Sequence, residues 1–589
     1  MSSLPSPVGA VNIYIPGFTN LGNLVNSAVL PRPGPNPPFA PAAFAYVRTV
    51  NKTRSGFAGG RDYSTNPTTL ATGSFDQHTI IRLASLSKFL GAVGFLKLVD
   101  KGTLNLSEQL STYISNFSST RVLQALQPTA SYPLPNSLSA TLGSAVVTVT
   151  HASHPFVTGQ WIGVQGAAAV QGISASTLNN VVQITVVDPN TYQFTNVNNT
   201  LATGTSGASE GGLSITIVAV PTPAAGLPNP TQTIWLTGYY YYTTVPLVRP
   251  IQLHHVITHQ LGYCYGLPEL SIAFGFASNP YLRSIQAGIF TGTLTPAAIP
   301  DPAFPLSAGG VVAWAQALAA IPLLFQPGEG FSYGPQISIL GAVIERAEVL
   351  YGTSRSLQTY MQQEVFAPCG MGDTAFFLAN TPTDQAKLPR VQTLYLEGTQ
   401  VRVESIPPLQ YLADWFYNPL YTQTLCLLDA GLFSTVHDYA AFLNVVRRNW
   451  LLDSGLLLLS PPMAVWLSSN QCQEWSAYEW TDQWSGQTTP GQWYRWGGGV
   501  GVYTGQKMNP AATGGSSRMI GWESFFQAKF FVDLVNQRFS LVGTQCIPLE
   551  ISRRLLDRLA SVSLTCFESA GFPPESATSE PDAISSAPK

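Results

Sequence analysis

The sequence predicts a mixed α/β (α+β) protein whose two end segments share one sheet, with a small all-β module inserted between helical stretches. Three observations carry this. β-rich runs stand near both ends, at 43–50, 528–532 and 539–544. Apolar residues at helical spacing follow Ser85 as far as Val99 and return at 309–320. Between Arg121 and Arg249 there is no Lys or Arg, and short alternating runs recur instead.

Those runs are AVVTVT at 145–150, VVQITVV at 181–187 and SITIV at 214–218, separated by DPN at 188–190 and a Gly/Ser stretch at 204–212. Period-two alternation of β-branched residues between polar turns is the mark of strands. The domain organisation expected is a main domain in two parts, 1–124 and 241–567, around an all-β module at 125–240. The stretch from 568 to 589, rich in Pro, Ser and Ala, reads as a flexible tail.

At 589 residues the chain can bury a large core, and two or three folding units are the natural expectation. Only 10% of residues are charged, and 28 Lys and Arg against 31 Asp and Glu leave a net charge of -3. That balance gives no electrostatic case for nucleic acid or an anionic membrane as a partner. The first residues, MSSLPSPVGAVNIYIPGF, lack the basic start and apolar stretch of a Sec signal, and no run is long and apolar enough to span a bilayer. Low charge with abundant Gly and Pro leans towards an extracellular, cell-surface or virion-associated location over a cytoplasmic one. The six cysteines form no CxxC pair and have no His at ligand spacing, so no metal site is expected.

The first motif with chemistry is Ser85-Leu86-Ser87-Lys88. A hydroxyl attacks a carbonyl once it is deprotonated, and a lysine amine removes that proton when burial lowers its pKa. Ser at i and Lys at i+3 share one side of a helix, so amine and hydroxyl can meet. A helix N-terminus adds a backbone N–H and a positive dipole end suited to an oxyanion. About one SxxK is expected by chance in a chain of this composition, so the four residues alone favour an N-capping Ser and a surface Lys.

The surrounding text changes the weight. IIRLASLSK at 80–88, RPIQLHHVITHQLGYCYG at 249–266, PLLFQPGEGFSYGPQISILGAVIERA at 322–347, DAGLFSTVHDYAAFLNVV at 429–446 and GWESFFQAKFFVDLVNQRFSLV at 521–542 follow one another. In that order they resemble the motif blocks of the serine β-lactamase-related family: class C β-lactamases, D-Ala-D-Ala carboxypeptidases and family VIII carboxylesterases. The resemblance implies the β-lactamase/penicillin-binding-protein fold, an antiparallel sheet flanked by helices beside a helical lobe. It implies a serine esterase acting on small-molecule carboxylic esters, short-chain ones first, with no cofactor. Separately, VTVTHASHPFVTGQWIGVQGA at 147–167 and ITVVDPNTYQFT at 184–195 resemble small β-modules of phage tail and other virion proteins. That likeness implies an assembly partner for the module.

By the same resemblance Ser85 is the nucleophile, and Lys88 with Tyr333 shuttles its proton. The oxyanion hole would be the backbone N–H groups of Ser85 and Phe525, with Trp522, Ser524 and Phe526 lining the substrate site. Three departures bear on substrate. Pro335 stands where β-lactamases have Asn, so a side-chain amide for a lactam or peptide carbonyl is missing. Trp522 stands in place of Lys and removes a cation for a substrate carboxylate. Ser524, in place of Gly, adds a side chain where substrate would slide.

Gly330-Phe331-Ser332-Tyr333-Gly334 also matches GxSxG, the nucleophile elbow of α/β-hydrolases. The elbow needs an apolar strand before it, whereas Gln326-Pro327-Gly328-Glu329 reads as a turn, and only His437 follows as a base. His437 opens a helical stretch and reads as a surface or capping residue. His254, His255 and His259 are close in sequence, but no carboxylate follows at ligand spacing, and a structural role is expected. The readings left open are a D-amino-acid peptidase or β-lactamase, an acyltransferase of the same fold, and a non-enzymatic surface or virion protein.

Overall fold

The computed structural model describes residues 42–61, 73–204, 210–227, 229–235, 238–263, 310–376, 382–396, 426–472, 494–503 and 518–547. The chain parts into two compact units, one formed by 1–102, 355–478 and 487–589, the other by 103–354 with 479–486.

The first unit is built on a seven-stranded sheet, every neighbouring pair of which is antiparallel. Its order is Tyr494–Trp496, Gly501–Tyr503, Met519–Glu523, Ala528–Asp533, Arg538–Thr544, Ala42–Arg48, Thr53–Gly59. The first described strand therefore pairs with the last long one, Tyr46 opposite Leu541. Ala42–Arg48 has neighbours on both sides and is buried almost throughout, so AAFAYVR is apolar without alternation. Thr53–Gly59 is the edge, and its exposure alternates as one solvated face requires.

Two helices seat on this sheet. Val436–Arg447 starts at Thr435, whose side chain accepts the Asp438 N–H. Ser87–Asp100 is buried on nearly every face, with Phe89 stacked on Phe530 at 5.4 Å and edge-on to Phe442 at 5.1 Å. Burying a ring such as Phe89 contributes roughly 1.5–3 kcal/mol, so this packing fixes the helix's rotation.

The second unit holds the helices Gly310–Leu318 and Gln336–Leu350, packed on each other, and the charge-poor region. That region forms two four-stranded sheets with a shared core including Val147, Ile162, Ile184, Phe194 and Ile217. The run at 181–187 is two strands, Val181–Gln183 and Thr185–Asp188. The boundaries expected at 124/125 and 240/241 fall inside two strands paired with each other, Leu126 opposite Tyr241 and Ala125 opposite Tyr242. Tyr241 is buried against Val181, Val218 and Val220. The strands that lead into the β-region are thus continuous with it.

Candidate active site

Strand Ile80–Arg82 leads into a 3-10 turn, Ala84–Leu86, and then directly into the Ser87–Asp100 helix. Ala84 takes φ +43, a conformation that costs a non-glycine residue energy and sits immediately before Ser85. The 426–435 segment clamps this corner. Phe433–Thr435 pairs with Ile80–Arg82, the Leu432 N–H donates to Ser87 Oγ at 3.2 Å, and the Tyr439 hydroxyl donates to the Leu86 carbonyl at 3.1 Å. The DAGLFST block is therefore the counter-strand of the serine turn.

Lys88 is fully buried, and its Nζ lies 3.2 Å from Ser85 Oγ and donates to the Asp429 carbonyl at 2.8 Å. Burial pulls its pKa down from 10.5 to about 8, against the opposing pull of the Asp429 charge. Gly91, one turn along, lets the Asp429 turn come this close: a Cβ there would stand 2.7 Å from Leu428 Cβ. Ser85 itself is half-buried. A lysine amine whose pKa is lowered in this way, in contact with a serine hydroxyl, has the geometry of a base for that hydroxyl.

The Met519–Glu523 strand packs against the serine turn. Phe525 is placed in the connection between Met519–Glu523 and Ala528–Asp533, not on a strand. Ser524 Oγ accepts the Phe526 N–H at 3.1 Å, and Gln527 at φ +64 closes the turn. Trp522 is 2% exposed and packs edge-on to Trp496 at 4.6 Å, while Phe526 and Ser524 are also buried. Phe525 is only half-buried, its ring 5.3 Å from that of Phe526. Glu523 pairs with Lys529 across the hairpin at 3.5 Å.

In the second unit Tyr333 is 7% exposed and lies over His259, ring centroids 5.0 Å apart. The next residue but two, Gln336, opens the Gln336–Leu350 helix, with Pro335 as its N-cap. Its amide Nε2 donates to the Tyr263 carbonyl at 2.6 Å and the Ser332 carbonyl at 2.7 Å, and its Oε1 faces His259 Nδ1 at 2.9 Å. This amide does not stand in for the one absent at Pro335, because all of it is turned inward.

Ser332 is buried, its Oγ donating to the Tyr263 carbonyl at 2.8 Å, and no strand precedes it. The GxSxG match is thus a turn held by a structural serine. His255 takes part in a capping box with Gln252, and desolvation holds its pKa down at about 3. His437 is the second residue of its helix, while the capping side chain is that of Thr435. Among the described residues no group of three His, Cys, Asp or Glu is placed to hold a metal. Cys369, Cys426, Cys472 and Cys546 are buried thiols, and Cys264 and Cys566 lie outside the described residues. No described helix is long and apolar enough to cross a membrane.

Sequence reading passed over Asp429 and Gln336. Both sit inside motif blocks, beside Gly431 and Pro335, but neither residue type announces itself. The acid acts on Lys88 from a turn 341 residues away, which spacing does not reveal.

A serine and a buried lysine in contact at the head of a helix, laid on an antiparallel sheet that joins early and late strands of the chain, define the β-lactamase and penicillin-binding-protein fold class. The family model described as Beta-lactamase matches residues 44–156 and 227–542. The chain belongs to that family. Residues 157–226, within the β-region, lie outside the match.

Among curated proteins, Protein Rv1367c of Mycobacterium tuberculosis is 28% identical over 219 residues, which is 37% of this chain and 44% of that protein. Lovastatin esterase of Penicillium rubens is 29% identical over 143 residues, 24% of this chain and 28% of that protein. The chain therefore spans less than half the length of these curated relatives. Among solved structures, unliganded Simvastatin Synthase (LovD) from Aspergillus terreus aligns at a TM-score of 0.51 and 15% identity, covering 90% of this chain and 95% of that one. That likeness is one of fold.

Proposed function

We propose that this protein is a serine esterase that cleaves short-chain carboxylic esters through an acyl-enzyme on Ser85. The observation that carries the reading is the 3.2 Å contact of Ser85 Oγ with a fully buried Lys88 whose pKa is near 8. Ser85 Oγ bonds to the ester carbonyl carbon while its proton passes to Lys88. The tetrahedral oxyanion collapses, the C–O bond to the alcohol breaks, and the alcohol leaves with that proton. Water then adds to the acyl-enzyme, its proton taken by the same base, and the acid departs with Ser85 restored.

The reading assigns Tyr333 a share in that proton transfer and the backbone N–H groups of Ser85 and Phe525 the oxyanion. The family motifs that these residues occupy support both roles. Esters rank above lactams and peptides because Pro335 offers no amide, Gln336 spends its own internally, and Trp522 carries no charge. A site without such polar partners discriminates by size and apolar contact, and weakly. Phe525, whose ring is half-buried, offers a surface on which an acyl chain would pack.

Acyl transfer to an alcohol, from the same acyl-enzyme on Ser85, is the second reading. One experiment serves both: steady-state turnover of p-nitrophenyl butyrate, nitrocefin and a D-Ala-D-Ala peptide, with and without an added alcohol. Butyrate hydrolysis well above the other two is expected. Efficient nitrocefin turnover with negligible action on butyrate would overturn the esterase reading, and an ester product outpacing free acid would make it a transferase.

A further inference from the structure

Tyr333 belongs to a short loop, and a loop tyrosine transfers protons well only if its ring is held still. The neighbourhood answers that need through one side-chain pair. The carbonyls of Tyr263 and Ser332 can only accept, and both point at one end of the Gln336 amide, at 2.6 and 2.7 Å. That end must be the NH2 group, so the other end, facing His259 Nδ1 at 2.9 Å, is the oxygen. An amide oxygen accepts only, and the proton of His259 is thereby fixed on Nδ1.

His259 is fully buried at φ +57, and its own carbonyl accepts the Ser332 N–H at 2.9 Å. The same residue therefore pins the loop by its backbone and meets the Tyr333 ring with its imidazole. Gln336 is buried as completely, and its three hydrogen bonds join the His259 side, the Tyr263 turn and the Tyr333 loop into one closed network.

We infer that His259 and Gln336 are positioning residues for Tyr333, acting through the Nδ1–H to Oε1 hydrogen bond that fixes the imidazole on which the Tyr333 ring rests. The inference rests on the role proposed above for Tyr333. Neither residue touches substrate in this scheme, so their loss slows the chemical step and leaves binding alone.

The test uses the full chain with p-nitrophenyl butyrate, reading kcat, KM and Tm for each variant, with fluorophosphonate labelling as the check that the Ser85 unit is folded. His259→Phe keeps a ring and loses the donor, His259→Asn keeps a donor at the Nδ1 position, and Gln336→Met removes all three hydrogen bonds. The expected result is a kcat loss of about tenfold or more for His259→Phe and Gln336→Met, with KM within about twofold and partial recovery in His259→Asn. On a Tyr333→Phe background the same changes should cost no further kcat.

Equal losses on both backgrounds, or a lowered Tm with unchanged kcat, would overturn the inference and leave the pair a purely structural one. Full activity in Tyr333→Phe alone would instead overturn the role of Tyr333 itself. If Gln336→Met fails to fold, the two His259 variants decide.

Discussion

The Ser85–Lys88 corner and the Tyr333 loop hold their reactive groups by opposite means. The Lys88 helix is packed by hydrocarbon, Phe89 on Phe530 and Leu428 over Gly91, and the amine meets Ser85 Oγ and the Asp429 carbonyl inside that wall. Around Tyr333 the contacts are amide, imidazole and carbonyl, with Gln336 at the centre. An apolar wall shifts an equilibrium, because it penalises the charged amine without aiming it. A hydrogen-bonded frame aims a ring and, once all its members are satisfied, leaves charge alone. One region tunes and the other orients.

The sharpest break of that comparison lies at its reacting atom. Ser85→Ala should abolish fluorophosphonate labelling and lower ester turnover by at least ~10³-fold, with Tm close to that of the parent protein. Ser332→Ala loses a bond to the Tyr263 carbonyl worth about 1 kcal/mol and should keep most turnover. A reversal of the two would restore the GxSxG reading.

Lys88→Met separates tuning from stability. Turnover should fall by ~10²–10⁴-fold, the range for loss of a general base, while Tm rises. The sign follows from the depressed pKa: below about 8 the folded state carries a buried charge, and that penalty fades as pH rises towards 10.5. The gain in Tm should therefore be larger at pH 7 than at pH 10. A Tm that falls in thermal unfolding would mean the amine is held by more than its wall penalises.

Gly91→Ala tests whether the wall must be this close. Its new Cβ would meet Leu428 Cβ at 2.7 Å and push the Asp429 turn off Lys88. Overpacking of this kind costs about 1–3 kcal/mol, and kcat should drop with it in the same preparation. Unchanged kinetics at a lower Tm would separate the turn from the chemistry.

The smallest expected effect is that of Asp429→Asn. The carbonyl stays and the charge goes, so the Lys88 pKa moves further down from about 8. The rise of kcat/KM with pH, which tracks the neutral amine, should shift to lower pH. A profile that stays put would remove Asp429 from the electrostatics.

The sequence made some of this plain. AAFAYVR near the start and FSLVGT near the end are apolar enough to be interior strands, and both are neighbours in one sheet. SxxK at helical spacing foretold the Ser85–Lys88 contact because three residues make almost one turn. What stayed hidden was whatever depends on a return of the chain. Trp522 reads as surface for substrate, yet its partner Trp496 closes over it from the sheet's end strand, two strands away. Phe525 lies just ahead of the β-rich run at 528–532, and the turn that holds it is made by Gln527 entering the left-handed region. Gln336 follows a proline and looks like any helix start; its three partners come from 259, 263 and 332.

The sheet of the first unit has a consequence for how the protein is made. Ala42–Arg48 lies between Thr53–Gly59 and Arg538–Thr544, so its inner edge waits for a strand delivered about 500 residues later. At about 5–20 residues per second a ribosome needs on the order of a minute to supply it. Through that interval the second unit, with its nearer contacts, can close first, while of the sheet under the Ser85 helix only Ala42–Arg48 and Thr53–Gly59 have been made. A chain released before that point would carry SLSK without Phe530, the ring on which Phe89 of the same helix stacks.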